Sequence, residues 1–274
     1  MNRNFFVNEN SIVRQVWSKA DTILFIFAGA AAEFALNKAV DWLYFTGKLP
    51  ADPIGRLFST VAYAKKIIFS PYEDALASID QITFIHKHVE QSRGKSIPDW
   101  AYRDVLFMLI DYSIRSYELL ERKLTDEQKE EIFATFHDVG IRMQVKDLPE
   151  NFQAWKFARD NHLQTNLALS DYSIHLFKQY KKHLGTARYL LLRLVQATLC
   201  PEIVQKKLSL GNGTLLLPLL RIYRILNNLQ LQKQVRDCLL PAQYKKQFKN
   251  LDIAEQPFHQ SRKCPFSIPK PLFS

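Results

Sequence analysis

The sequence predicts an all-α domain, and three observations carry that expectation. Only 8 Gly and 12 Pro occur in 274 residues, too few turn-formers for an all-β chain. Apolar residues recur at spacings of three and four. Side chains that cap helices stand before several of those runs. Hydrophobic residues make up 47% and charged residues 23%, which excludes a disordered, collagen-like or disulfide-scaffold protein.

The stretch Thr22 to Leu36 is apolar apart from Glu33, but at about 15 residues it falls short of the ~20 that span a bilayer. It predicts a buried helix. Asp52-Pro53 joins a capping side chain to a residue suited to the first helical position. The helix it opens carries Ile54, Leu57, Val61, Ala64 and Ile68 on one face, and Pro71 ends it. A second helix from Tyr72 aligns Ala75, Ile79, Ile82, His86 and Val89, and stops at Arg93-Gly94, where glycine tolerates a left-handed turn. Ser96-Ile97-Pro98 opens a third, running to Leu120, and Thr125 with Gln128 forms a capping box for a fourth.

Beyond Leu148-Pro149 a helical region extends to about His183 with a break near Ser170; Gly185 closes it. Another helix reaches Cys200-Pro201, Gly211-Asn212-Gly213 is a turn, and a last helical stretch covers 218–249. The expected division is one all-α domain over 1–250 and an irregular Pro-containing tail over 251–274, with no internal repeat.

The net charge of +10 suits nucleic acid, anionic lipid or an acidic cofactor, or simply solubility. No aromatic residues interleave with the basic ones, so nucleic acid is not the expected partner. The basic stretch Arg221, Arg224, Lys233, Arg236, Lys245, Lys246 and Lys249 allows peripheral membrane contact, alongside the usual reading of a solvated helix face. Cys200, Cys238 and Cys264 are widely spaced and form no CxxC, which implies a reducing compartment. The N-terminal MNRNFFVNEN lacks an apolar run with a small-residue cleavage site, so no signal peptide and a cytoplasmic location are expected.

Sharp catalytic signatures are missing: HExxH, CxxCH, GxSxG, a Walker loop, GxGxxG, ExxH and DDxxD are all absent. What draws the eye is placement. His86 lies on the apolar stripe of its helix, as a structural imidazole or an axial ligand to buried iron would, whereas His88 points away from that stripe. Arg56, Thr60 and Tyr63 share a face and suit a carboxylate or propionate; an Arg snorkelling over the core beside a Thr that bonds its own helix gives the same pattern. Asp104, Asp111, Arg115 and Glu118 form a line of the sort found on solvated or half-buried faces. Trp155, Arg159, His162 and Asn166 form another, matching a pocket wall or, more commonly, a surface stripe.

The block from Asp52 to Thr60 (DPIGRLFST), the segment Ile85-His86-Lys87-His88-Val89, and the later Asp111-Tyr112-Ser113, Tyr117-Glu118 and Leu124 to Glu127 together resemble the family (DUF2236) that joins the latex-clearing rubber oxygenases to the MpaB-type oxygenases. The likeness covers residues 11–210. It implies a single globin-reminiscent multi-helix domain holding haem b, and an oxidoreductase that applies dioxygen to a small apolar, isoprenoid substrate. By resemblance His86 falls on the axial iron ligand, and Arg56 and Thr60 on the haem-pocket helix. Phe58, Phe107 and Met108 are expected to line a substrate channel. Ser59 stands where the rubber oxygenases carry an iron-capping lysine, and Asp41 is the acid nearest their catalytic base. Lys38-Ala39-Val40 replaces the family's Ala-His-Pro, and Asp104 to Met108 replaces its Trp-Val-His-Ala-Thr. A helical partner-binding or membrane-surface protein that has lost the haem is the alternative reading of those replacements.

Overall fold

The computed structural model describes residues 4–216 together with positions 218 and 220, and within them the chain is helical throughout. The elements are α1 (Ile12–Ser18), α2 (Ala20–Leu36), α3 (Asp41–Phe45), α4 (Lys48–Ala51), α5 (Pro53–Phe69), α6 (Tyr72–Arg93), α7 (Asp99–Leu120), α8 (Asp126–Arg142), α9 (Phe152–Thr165), α10 (Asp171–Leu184), α11 (Thr186–Leu199) and α12 (Glu202–Leu208), followed by a 3-10 turn at Gly213–Leu216. Extended pairing among the described residues is limited to the bridges Phe5–Pro71 and Asn37–Leu167. The proposed tail over 251–274, the basic stretch from Arg221 to Lys249 and nearly all of the last expected helix lie outside the described residues.

Helix boundaries follow from local chemistry. The Asp52 carboxylate accepts from Gly55 N at 2.9 Å, and Pro53 opens α5 without an amide hydrogen to satisfy. The capping box at α8 is complete: Gln128 N donates to Thr125 Oγ1 and Thr125 N to Gln128 Oε1. Gly94 ends α6 at φ 66°, a conformation that costs a residue with a Cβ. The expected break near Ser170 is real. Ser170 and Ser173 cap α10 reciprocally, and the segment before them runs beside the end of α2 through Lys38 N→Asn166 O (3.0 Å) and Ala168 N→Leu36 O (2.7 Å).

At the centre α2 packs along α7, with α10, α11 and α12 also laid against α2. α8 and α9 also pack on α7 and on each other, and α5 pairs with α6. The α2–α7 approach is close because Gly29 has no side chain. A Cβ there would come within 2.3 Å of the Tyr112 ring. Trp17, Ile26, Ile110, Tyr112, Ile132 and Leu176 are buried in one continuous core, and Trp17 Nε1 reaches from α1 to Ser113 Oγ on α7 at 3.2 Å. Phe107 and Met108 belong to this packed core, Phe107 meeting Trp155 edge to face. Phe58 is likewise a core residue. Among the described residues no helix is long and apolar enough to cross a membrane.

Candidate functional site

Two polar clusters lie inside this helical shell. The first sits between α5 and α6. Arg56 and Thr60 are one turn apart on α5, and the guanidinium Nη1 of Arg56 donates to Thr60 Oγ1 at 3.0 Å and to Ser59 Oγ at 3.2 Å. Thr60 and Ser59 also return hydrogen bonds to the Arg56 carbonyl, so both hydroxyls are committed to holding this arginine. His86 projects from α6 into the same region. It is half-buried, and its Nδ1 is out of solvent with no hydrogen-bond partner among the described residues.

The Tyr102 ring of α7 stands edge-on to the His86 imidazole, with centroids 5.2 Å apart. Burial, and then the nearby charge of Arg56, depress the His86 pKa from 6.5 to about 4. The imidazole is therefore neutral at physiological pH, the form that ligates a metal. An orphaned buried nitrogen on a neutral imidazole, beside a positioned guanidinium, fits an iron-porphyrin carrying propionates. His88 is exposed, as its position off the stripe predicts.

Asp41, on the short α3, is held by α6: Arg93 Nη2 donates to Asp41 Oδ2 at 2.6 Å, and the Arg93 guanidinium stacks 4.0 Å above the Trp42 ring. Arg93 follows His86 by seven residues, two turns along the same side of α6. Asp41 is thus carried to the helix that bears His86, already engaged in an ion pair.

The second cluster is deeper. Glu33 of α2, Asp104 and Asp111 of α7, and Arg159 and His162 of α9 are all buried. Arg159 Nη1 and Nη2 donate to the two carboxylate oxygens of Glu33, the latter at 2.6 Å, and Arg159 Nη2 and Nε reach Asp111 Oδ2 at 3.0 and 3.2 Å. Tyr112 OH donates to Glu33 Oε2 at 2.9 Å, and Arg115 Nε to Asp111 Oδ1 at 2.7 Å. Asp104 is met by His162 Nε2 and by the side-chain amide of Asn37. Burial alone would lower the Arg159 pKa, but Glu33 and Asp111 more than offset it and hold the guanidinium charged. Burial pushes the Asp104 carboxyl up, against the pull of His162.

This cluster corrects two sequence expectations. Asp104 and Asp111, from a line expected on a solvated or half-buried face, and Trp155, Arg159 and His162, from a stripe read as a pocket wall or more commonly a surface, are interior, because the two sets supply each other's counter-charge. Glu33, Asn37 and Tyr112 were missed as members of a polar site. The signal for Glu33 was in view: a lone carboxylate within an apolar helix must find a partner. Glu33, Asp104 and His162 offer ligand atoms within 4.8 Å of one another, a donor set of the kind that holds a cation. Within the chain Glu33 is met by Arg159, Asp104 by the Asn37 amide, and Asp104 and His162 by one another.

Within the described residues the chain is an all-helical domain in which a neutral imidazole stands beside an arginine and a threonine one turn apart. Residues 16–234 match the family described as the ER-bound oxygenase mpaB/B'/rubber oxygenase catalytic domain, and the chain belongs to that family. Neither a curated protein nor a solved structure matches it.

Proposed function

We propose that this chain is a haem-b-dependent oxygenase that applies dioxygen to a small apolar substrate of the isoprenoid class. The observation that carries the reading is His86: a buried, unpartnered Nδ1 on an imidazole kept neutral by its surroundings, in a family of oxygenases. Bound at this site, haem b supplies an iron centre able to activate dioxygen. His86 would supply the protein ligand to that iron. Arg56 would pair with a propionate through charge-assisted hydrogen bonds, and Thr60 with Ser59 fixes the direction of that guanidinium. Asp41, steadied by Arg93, is the carboxylate assigned to proton transfer.

The test is a visible spectrum of the protein expressed with ample haem, beside His86→Ala. A Soret band in the parent that weakens or shifts in the variant supports His86 as the ligand. A colourless parent with full helical content removes the haem reading, and an unchanged band in the variant removes His86 from the iron. Oxygen uptake with an isoprenoid hydrocarbon then separates an oxygenase from a haem carrier, which would give none.

A further inference from the structure

Away from both polar clusters, α10, α11 and the end of α12 enclose a cleft of about 360 Å³, within the ~300–1,000 Å³ usual for small-ligand sites. Its floor is apolar. Phe177 and Leu208 are buried there, and Leu169 and Ile174 line it although they are 55% and 46% exposed. Its charged lining is one-signed: Lys178, Lys181, Arg193 and Lys207 face it, and no carboxylate among the described residues does.

Arg193 is held in place. Its Nη2 donates to Leu208 O at 3.1 Å and Ser209 O at 2.9 Å, and the guanidinium lies 5.5 Å from the centre of the Phe177 ring. These carbonyls are those left over at the end of α12, where Ser209 takes a left-handed conformation at φ 48°. The three lysines form no ion pair with a described residue. A fixed cation at an apolar floor, with three uncompensated cations around it, is complementary to a ligand that is anionic at one end and apolar at the other.

We propose that this cleft binds a single-chain amphiphile with an anionic head, a fatty carboxylate or an alkyl phosphate, with the head among Lys178, Lys207 and Arg193 and the chain against Phe177 and Ile174. A single molecule is favoured over a membrane surface because the apolar side chains line a concavity; an interfacial helix would present them on a protruding face. No lining residue belongs to the His86 site, so this binding is independent of haem.

Calorimetric titration of the full chain with dodecyl phosphate below its micellar concentration tests the assignment, with dodecanol, inorganic phosphate and phosphatidylcholine vesicles with and without phosphatidylserine as the other arms. The expected result is saturable one-to-one binding of dodecyl phosphate, at least tenfold tighter than dodecanol or phosphate. The double variant Lys178→Glu/Lys207→Glu should weaken it at least tenfold, while Lys95→Glu/Lys156→Glu, with the same change in net charge, leaves it unaltered. Both variants should keep the parent's helical circular dichroism. Absence of saturable binding, equal loss in both variants, equal binding of dodecanol, or a response confined to phosphatidylserine vesicles would each overturn the proposal.

Discussion

Arg159 and Glu33 stand 126 positions apart in the chain and meet through two parallel hydrogen bonds, with the side chains 4% and 0% exposed. Two terminal nitrogens on two carboxylate oxygens is the pairing a guanidinium makes best. It joins α9 to α2, and Asp111 on α7 accepts from the same guanidinium.

Removing one partner from this pair strands a charge in the interior. Arg159→Met leaves Glu33 without its cation, while Asp111 keeps Arg115, and is expected to cost about 3–5 kcal/mol. Glu33→Gln should cost less, since the amide still accepts from Arg159 through its oxygen. The double variant should be markedly less destabilised than the sum of the two, because the second change removes the group that the first one stranded. Urea unfolding of the four proteins measures this; strict additivity would contradict the pairing.

Gly29→Ala places a methyl where the Tyr112 ring lies. Alanine is the better helix former by about 1 kcal/mol, yet overpacking of a filled core costs about 1–3 kcal/mol. The methyl would lie 2.3 Å from two ring carbons, and Tyr112 cannot swing away without giving up its bond to Glu33. The variant should therefore melt below the parent. A higher melting temperature would mean that the α2–α7 contact relaxes freely.

The same region sets the alkaline limit of stability. Burial, helped by the charges of Cys200 and Glu33, holds the Tyr112 phenol well above its ordinary pKa, and burial pushes the Cys200 thiol up to about 12. In the unfolded chain these groups ionise near ~10 and ~8.5. Between the unfolded and folded values the native state keeps protons that the unfolded state has released, so stability falls as pH rises. The urea midpoint should decline from about pH 9 upward, and Tyr112→Phe should decline less steeply above pH ~10 from a lower starting point. Cys200 should resist alkylation at pH 8 until the protein is unfolded, as peptide mass spectrometry would show.

Helices with a cap, a stop and a long apolar repeat were readable from sequence: α5 through α8 begin and end where Asp52-Pro53, Pro71, Gly94 and Thr125 place them. The short α1, α3, α4 and α12 were not singled out, because four to seven residues carry barely one repeat of the apolar spacing. Within the site, the Arg56–Thr60 link is a one-turn relationship and could be anticipated. The burial of Asp104, Asp111, Arg159 and His162 was the less common of the readings their spacing allowed. Each line of charges looks like a surface face until the other is brought against it, and that meeting is decided by packing across the whole chain.

The interlocked charges have a last consequence, for assembly. Apolar faces of helices tolerate sliding, since one leucine substitutes for another along a groove. A slip of α9 by one turn would displace Arg159 by about 5.4 Å, enough to break its bonds to Glu33 and Asp111 and to part His162 from Asp104. Every misaligned docking of α9 would thus strip Glu33 and Asp111 of the guanidinium they share, leaving them Tyr112 and Arg115 alone in a dry interior, and the register seen here is the one in which Arg159 serves both.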